Sequence, residues 1–277
     1  MLHHIKELEK RTNKDRVEYV KEVLNNQGIE FKTQPFRFRV LKGENIIVNH
    51  FCQSETDKQL LLTAHTNKYF SSPGANDNAS GVAVLLQIIE NLQKRKNFEN
   101  LGIKIVFFDH EDGLAVLDGS TYFSKHYDLS SISFLLNLDM VGAGDTVTIS
   151  PNIKRYAENL YVKHILSTLK KRDIKLFSFN LPPLLVEDHL PFLWKNVPTI
   201  SLNVMPARDQ TYLKERIKSS WLSKFKEIML VRFMRKRHPM FVMRHRHNEL
   251  DTSEHIDPDS LKLCEEIVVD IIGFHLK

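Results

Sequence analysis

The spacing of hydrophobic positions changes twice in the first part of the chain, and each change predicts a different kind of element. Residues 14–27 carry apolar side chains at helical spacing up to Gly28, which is typical of a helix with a C-terminal glycine. Residues 36–40 (FRFRV) then alternate strictly between apolar and polar, and residues 44–51 (ENIIVNHF) follow after a Lys-Gly pair. These two segments predict an antiparallel hairpin with its turn at the Lys-Gly pair.

Three short runs that are apolar on both faces follow the hairpin. They are residues 59–65 (QLLLTAH), 103–110 (IKIVFFDH) and 133–140 (SFLLNLDM), and such runs predict strands in the middle of a sheet. Residues 79–96 have small residues at their start, an apolar stripe and a basic end, which predict a helix packed on that sheet. A strand, a helix and a strand in this order form a crossover unit of a parallel sheet.

The second half of the chain continues this alternation. Residues 198–203 (PTISLN) predict another central strand, with a short helix around 189–195 before it, and residues 257–276 predict a closing helix. The chain shows no internal repeat and no Gly/Ser/Pro linker. We therefore predict one α/β domain over residues 1–277, with a mixed, mostly parallel central sheet between helices.

The composition is that of an ordinary globular protein and excludes disorder and collagen-like repeats: 277 residues, of which 42% are hydrophobic. Cys52 and Cys264 belong to no C-x-x-C pair and predict reduced, inert thiols. No window approaches the roughly 18 apolar residues of a membrane span, and the N-terminus lacks the apolar run of a secretory signal. We expect a cytoplasmic protein without a transmembrane span.

Polar residues of chemical interest stand where the predicted central strands end. His65 ends the first strand, the second runs into residues 109–112 (DHED), and the third ends in Asp139. Because ligands of open α/β sheets bind outside the carboxyl ends of the strands, we expect these side chains around one crevice. Carboxylates gathered without Lys or Arg partners repel one another, and a divalent cation is the usual way to stabilise such a cluster.

Two later segments add candidate metal ligands. Asp77 lies in a loop rich in Gly and Asn, residues 73–81 (PGANDNASG), and His247 opens residues 247–252 (HNELDT). Each of these residues alone has an ordinary explanation, as a helix cap or as a hydrogen-bonded core histidine. Together, nitrogen and oxygen ligands on five separate loops favour two zinc ions that share a carboxylate over a structural zinc, which would prefer cysteines.

Six sequence blocks follow one another along the chain: AHTN (64–67), PGANDNASG (73–81), FFDHEDGL (107–114), NLDMVG (137–142), EDHLPF (187–192) and HNELDT (247–252). Their order and approximate spacing resemble the zinc aminopeptidases of the M28 family, which also includes the glutaminyl cyclases. The resemblance covers roughly residues 60–204 and 247–275. It implies a zinc-exopeptidase-like fold and a metal-dependent enzyme.

The resemblance also implies roles for individual residues. It implies two zinc ions per chain held by five ligands: His65 and Asp139 on one ion, Asp112 and His247 on the other, and Asp77 between them. Glu111 takes the position of the general base, which removes a proton from the attacking water and can return it to the leaving amine. His189 resembles a position that lines the substrate pocket.

The implied activity is that of an aminopeptidase, which hydrolyses N-terminal residues from peptide substrates. A glutaminyl cyclase-like enzyme with one zinc is the alternative within the same family, and the full set of five ligands favours the two-metal peptidase. A third possibility is a catalytically weakened member of the family that acts as a binding protein.

Two residues depart from the family pattern. The family usually has His-x-Asp where this chain has His65, Thr66 and Asn67, and that Asp orients the histidine and raises its basicity. Asn67 brings no charge, so we expect weaker metal binding or lower activity. Asp112 replaces the more frequent Glu, which shortens one ligand by a methylene group.

One segment carries most of the positive charge. Residues 206–246 contain 12 Lys and Arg and three acidic residues, a net charge of +9, which leaves −4 for the remainder of a chain whose total is +5. Apolar residues at every fourth position predict a basic amphipathic helix from about 209 to 235. This insertion is a solvated helix packed on the domain, a lid that attracts acidic peptides, or a docking surface for a membrane, nucleic acid or a second subunit. No nucleic-acid-binding motif accompanies it, so we do not expect nucleic acid as the main partner, and the oligomeric state is open.

Overall fold

The structure, a computed structural model, contains one mixed β-sheet with helices on both faces. It describes residues 1–38, 41–52, 58–95, 101–111, 117–180, 187–217 and 238–277. The strands are β1 (Phe31–Phe38), β2 (Leu41–Val48), β3 (Gln59–His65), β4 (Ile103–Phe108), β5 (Ile132–Leu138), β6 (Thr146–Ser150), β7 (Leu176–Ser178) and β8 (Thr199–Met205). The helices are α1 (Leu2–Glu9), α2 (Asn13–Asn26), α3 (Ser80–Gln93), α4 (Asp118–His126), α5 (Leu160–Lys171), α6 (Leu190–Leu193), α7 (Ala207–Ile217), α8 (Phe241–His245) and α9 (Pro258–His275).

The eight strands pair in the order β1-β2-β4-β3-β5-β8-β6-β7. The four central strands, β4, β3, β5 and β8, run parallel to one another, and β7 runs parallel to β6. The pairs β1-β2, β2-β4 and β6-β8 are antiparallel. The predicted α/β class with a mixed, mostly parallel sheet is confirmed, and the four runs predicted as central strands are its parallel centre.

Helix boundaries follow local capping chemistry. The hydroxyl of Thr12 accepts the N–H of Asp15 at the start of α2, and Gly28 follows that helix with a φ of +67°. Asp257 caps α9 in the same way through the N–H of Asp259, and Pro258 occupies the first helical position, where no N–H is required. The sequence therefore specifies where these helices begin and end.

Both faces of the sheet are covered, which explains why its central strands are apolar on both sides. On β3, Leu60 and Leu62 belong to the large core cluster that includes residues of α3 and α9. Leu61 lies in a second cluster with Phe123 of α4 and Phe192 of α6. Because successive side chains of a strand point to opposite faces, β3 is buried between two helical layers.

The predicted hairpin exists, but its turn lies before the Lys-Gly pair. Gly43 sits inside β2, directly opposite Phe36 of β1. A Cβ atom at Gly43 would collide with the ring of Phe36. The glycine therefore makes room for an aromatic ring across the hairpin, and residues 39–40 between the strands lie outside the described residues.

The predicted basic helix is described only at its beginning. Helix α7 starts at Ala207, and residues 218–237, which include the rest of the predicted helix, lie outside the described residues. The extent of the domain and the role of the basic segment therefore stay predictions. Within the part of the chain that the structure describes, no helix is both long and apolar enough to cross a membrane.

Candidate metal centre

Three adjacent parallel strands bring His65, Glu111 and Asp139 together. His65 is the last residue of β3, and Glu111 and Asp139 follow β4 and β5, which flank β3 on either side. The His65 Nε2 atom lies 3.8 Å from Glu111 Oε2 and 3.8 Å from Asp139 Oδ1. All three side chains are buried. The sheet order thus assembles a cluster from residues that are far apart in the sequence.

Asp77 enters this cluster from the loop that precedes α3. Asp251 holds the loop, because its carboxylate accepts the N–H groups of Asn76 at 2.7 Å and of Asp77 at 3.1 Å. Asp77 Oδ1 lies 3.3 Å from His65 Nε2. Its side chain is 1% exposed, so its charge is not balanced by water.

His247 lies on the other side of Asp77. Its backbone adopts a φ of +59°, a conformation that few residues other than glycine adopt, and its ring stacks on Tyr69 with centroids 4.8 Å apart. His247 Nε2 lies 3.1 Å from Asp77 Oδ2. Asp77 therefore turns one oxygen toward His65 and the other toward His247.

The donor atoms of His65, Asp77 and Asp139 fit a divalent metal ion. One ligand atom from each residue lies within 4.8 Å of the others. Zinc bonds of about 2.0–2.2 Å require donor atoms roughly 3.4 Å apart in a tetrahedron. His65 Nε2 lies 3.3 Å from Asp77 Oδ1, close to this separation, and 3.8 Å from Asp139 Oδ1, slightly farther. Among the described residues, no hydrogen bond satisfies His65 Nε2, Asp77 Oδ1 or Asp139 Oδ1, although all three atoms are buried. Buried polar atoms of this kind normally have a partner, and a cation would provide one.

The orientation of His65 also suits a metal. Its Nδ1 atom lies 3.1 Å from the main-chain oxygen of Asn67, which can only accept a hydrogen bond. This contact keeps a proton on Nδ1, which leaves Nε2, directed at the carboxylates, as the atom that would bind a metal.

The pKa shifts of His65 and Asp139 indicate that a positive charge would stabilise the cluster. Burial opposes protonation of His65, yet the carboxylates of Glu111, Asp139 and Asp77 raise the pKa of His65 well above its usual value. Burial, together with the negative charge of Asp77, raises the pKa of Asp139 to about 6 despite the contact with His65. A divalent cation at this point would offset the same repulsion and lower both pKa values.

Asp77 and Asp251 show opposite shifts. Burial would raise the pKa of Asp77, but Arg246, His247 and His65 hold it well below its usual value. Burial and the neighbouring charge of Asp77 raise the pKa of Asp251 to about 7. The difference arises because three cationic groups face Asp77, whereas the main-chain N–H groups bonded to Asp251 only partly offset its burial.

The side chain of Asn67 does not orient His65, which is the role of the Asp in the family's His-x-Asp pattern. Its side-chain Oδ1 accepts the N–H of Glu111 at 2.8 Å, and its main-chain oxygen is the atom that lies beside His65. The main chain of Asn67 therefore orients the histidine, and its side chain fixes Glu111. The predicted ligand Asp112 lies outside the described residues, next to Glu111.

His189 is fully buried at the start of α6, with its Nδ1 atom 3.3 Å from Glu187 Oε2. The charge of Glu187 also contributes to the raised pKa of Asp139. Sequence analysis did not single out Glu187, Asp251 or Arg246. The first two stand inside the blocks EDHLPF and HNELDT, whereas Arg246 carried no signal beyond its place in a basic segment.

The mixed, mostly parallel sheet between helices is a zinc-exopeptidase-like α/β fold. The comparison with known families is more specific. The profile described as "Peptidase family M28" matches residues 45–272, and the chain belongs to this family. Family membership supports a hydrolase.

Curated relatives carry the name vacuolar membrane protease. The protein of Meyerozyma guilliermondii is 27% identical over 131 residues, which are 47% of this chain and 13% of that protein. The protein of Schizosaccharomyces pombe is 24% identical over 163 residues, which are 59% of this chain and 19% of that protein. The chain thus spans less than a fifth of the length of these relatives.

Solved structures of both peptidases and cyclases share the fold. Glutaminyl cyclase from Porphyromonas gingivalis has a TM-score of 0.74 at 22% identity, with 99% of this chain and 96% of that chain covered. A Zn-dependent exopeptidase from Parabacteroides distasonis has a TM-score of 0.68 at 19% identity, with 98% and 96% covered. The zinc aminopeptidase BSAP from Bacillus subtilis has a TM-score of 0.59 at 20% identity, with 86% and 51% covered. At these identities the likeness shows the fold alone.

Proposed function

We propose that this protein is a zinc-dependent aminopeptidase that removes N-terminal residues from peptides and binds up to two zinc ions. The observation that carries the proposal is the position of Asp77 between two imidazoles. Its Oδ1 lies 3.3 Å from His65 Nε2 and its Oδ2 lies 3.1 Å from His247 Nε2. A carboxylate with one oxygen toward each of two nitrogen ligands suits a pair of metal sites that share it.

His65, Asp77 and Asp139 would hold one zinc ion, and Asp77 and His247 would contribute to the other, together with Asp112 by resemblance to the family. Bound zinc supplies a Lewis acid that polarises the scissile carbonyl and makes a water molecule more acidic. The side chains of His65, Asp77 and Asp139 are buried, which keeps bulk water from competing for their ligand atoms.

Glu111 would move the proton in this reaction. Its carboxylate is 1% exposed and its Oε2 lies 3.8 Å from His65 Nε2, so it stands beside the metal ligands. The side chain of Asn67 fixes the main chain at Glu111. A carboxylate held there can take a proton from the attacking water and deliver it to the leaving amine.

The first test is Glu111→Gln. Since Gln cannot accept a proton, we expect the aminopeptidase rate to fall by about 10²- to 10⁴-fold while the zinc content stays unchanged. The rate is measured with aminoacyl p-nitroanilides and the zinc content by plasma mass spectrometry. The matched control is Glu158→Gln at an exposed site, which should leave both values unchanged. A wild-type protein that contains no zinc and is indifferent to chelators would contradict the proposal.

Glutaminyl cyclisation is the second candidate, because the chain matches the P. gingivalis cyclase over nearly the full length of both proteins. A peptide with N-terminal Gln separates the two activities. Cyclisation releases ammonia and leaves a blocked N-terminus, whereas aminopeptidase action releases free glutamine. We expect free amino acids from several peptides, and ammonia release confined to the Gln peptide would support the cyclase instead.

A further inference from the structure

A single N–H group of Arg246 contacts both atoms with which Asp77 and His247 would hold a cation. Arg246 Nε lies 2.7 Å from Asp77 Oδ2 and 3.1 Å from His247 Nε2. These two acceptor atoms are themselves 3.1 Å apart. The guanidinium therefore stands beside the second pair of ligand atoms.

The chemistry of the groups makes this contact incompatible with a metal bound through the same atoms. An arginine Nε always carries a hydrogen and can only donate, so His247 Nε2 accepts with its lone pair. A zinc ion bound at Nε2 requires that same lone pair. The Asp77 oxygen is engaged by a short, charge-assisted hydrogen bond, and the guanidinium adds a positive charge that repels a second cation.

The other half of the cluster has no such competitor. Among the described residues, no Lys or Arg forms an ion pair with Asp139 or with the Asp77 Oδ1 atom. The two oxygens of Asp77 are therefore not equivalent. Oδ1 faces the imidazole of His65, whereas Oδ2 already has the guanidinium of Arg246 as its partner.

The main chain around Arg246 is held independently of this contact. The Asn248 side chain donates to the main-chain oxygens of Arg244 and Arg246 at 2.7 and 3.1 Å. The Arg246 side chain is 12% exposed. Rotation of this side chain alone, without a change in the loop, would release Asp77 and His247.

We propose that Arg246 is a built-in cation at the second metal position, and that it makes zinc binding stepwise. The first zinc ion binds at His65, Asp77 and Asp139. The second binds only when it displaces the Arg246 guanidinium from Asp77 and His247, and its affinity is correspondingly lower. This inference rests on the proposed zinc-dependent function, and it concerns the number and affinity of the ions.

The test is a zinc titration of the metal-free protein by calorimetry, with the zinc content after dialysis measured by plasma mass spectrometry. We expect the wild type to bind one zinc ion tightly and a second at least about tenfold more weakly. Groups that contact metal ligands typically change metal affinity by at least this factor. In Arg246→Gln the second event should tighten by about the same factor. Arg246→Lys keeps the charge and should bind the second ion less tightly than Arg246→Gln.

The matched control is Arg244→Gln, which removes the same charge two residues earlier in the chain. The Arg244 guanidinium donates to the main-chain oxygens of His238 and Pro239. It should leave the two affinities unchanged, and circular dichroism checks the fold of each variant. Two equal affinities in the wild type, or an unchanged second event in Arg246→Gln, would overturn the role of Arg246. If the Gln variant does not fold, Arg246→Met, which is uncharged and of similar length, takes its place with the same expected result. Absence of zinc binding by the wild type would instead reject the proposed function itself.

Discussion

At the scale of single residues, the site depends on residues that each contact two different partners. Asp77 turns its oxygens toward two histidines, and Asp251 accepts two main-chain N–H groups that fix the Asp77 loop. Asn67 divides its contacts between His65, through its main chain, and Glu111, through its side chain. Residue identity alone indicates the chemistry of these groups, but not which atom faces which partner.

The division of contacts at Asn67 leads to a prediction for Asn67→Asp. A carboxylate can still accept the Glu111 N–H, and it adds a negative charge beside the metal cluster. We therefore expect zinc to bind about tenfold more tightly, as measured by competition with a chelator. Asn67→Ser is the uncharged comparison and should not tighten binding. An unchanged affinity in Asn67→Asp would mean that the main-chain contact to His65 is sufficient.

At the scale of elements, a contact between two helices holds the segment that carries Arg246 and His247. The carboxylate of Asp209 in α7 is buried and accepts the N–H groups of Phe241 and Val242 at 2.8 and 2.9 Å. It thus satisfies N–H groups at the start of α8 that have no partner within the helix, a role that a local capping residue normally has. Because α8 ends directly before Arg246 and His247, this contact helps to position both.

Removal of this cap should affect stability and zinc binding together. In Asp209→Ala one buried and one partly buried N–H group lose their acceptor, and we expect a loss of about 1–3 kcal/mol in the free energy of unfolding. Since the segment carrying His247 loosens, the weaker zinc event should weaken further. Urea unfolding and zinc titration provide the measurements, with the exposed Glu215→Ala on the same helix as control. If only stability falls, α8 does not position His247.

At the scale of the whole molecule, the N-terminal helices are part of the structure that supports the site. Arg16 of α2 is fully buried, and its guanidinium donates to the main-chain oxygens of Thr66, Pro73 and Gly74. These oxygens belong to the loops that carry Asn67 and Asp77. A change that loosens the N-terminal helices would therefore also loosen the loops that carry Asn67 and Asp77.

His4 makes the N-terminal region sensitive to pH. Burial, with the nearby charges of His3 and the N-terminus, lowers the pKa of His4 to about 4, and its Nδ1 contacts the Tyr19 hydroxyl at 2.7 Å. An unfolded chain binds this proton below about pH 6.5, whereas the folded chain binds it only near pH 4. Stability should thus be complete above about pH 6.5 and fall as the pH decreases toward 4.

After allowance for solvent screening, we expect His4 to contribute about 1–2 kcal/mol of this loss. Urea unfolding at pH 7 and pH 4.5 gives the loss of unfolding free energy between the two pH values, and the contribution of His4 is the difference in this loss between the wild type and His4→Gln. His126→Gln, on an exposed face of α4, is the control and should show the wild-type loss. An equal loss in the wild type and His4→Gln would refute the assignment.

The sequence by itself determined the parallel centre of the sheet and the kinds of residue at its strand ends. Runs that are apolar on both faces predict buried parallel strands, and residues such as His65 and Asp139 stand directly at their ends. It misplaced the hairpin turn, because a Lys-Gly pair resembles a turn, whereas the need for space beneath the Phe36 ring is visible only across the strands.

The tertiary structure alone decided which of these groups meet. Arg246 and Asp77 are 169 residues apart in the sequence, and Asp251 is 174 residues from the same aspartate. Periodicity and local propensity report on neighbours along the chain, whereas these contacts arise because separate loops converge at one end of the sheet. The sequence therefore specified the ligand types, and the fold specified that one carboxylate serves two imidazoles and an arginine.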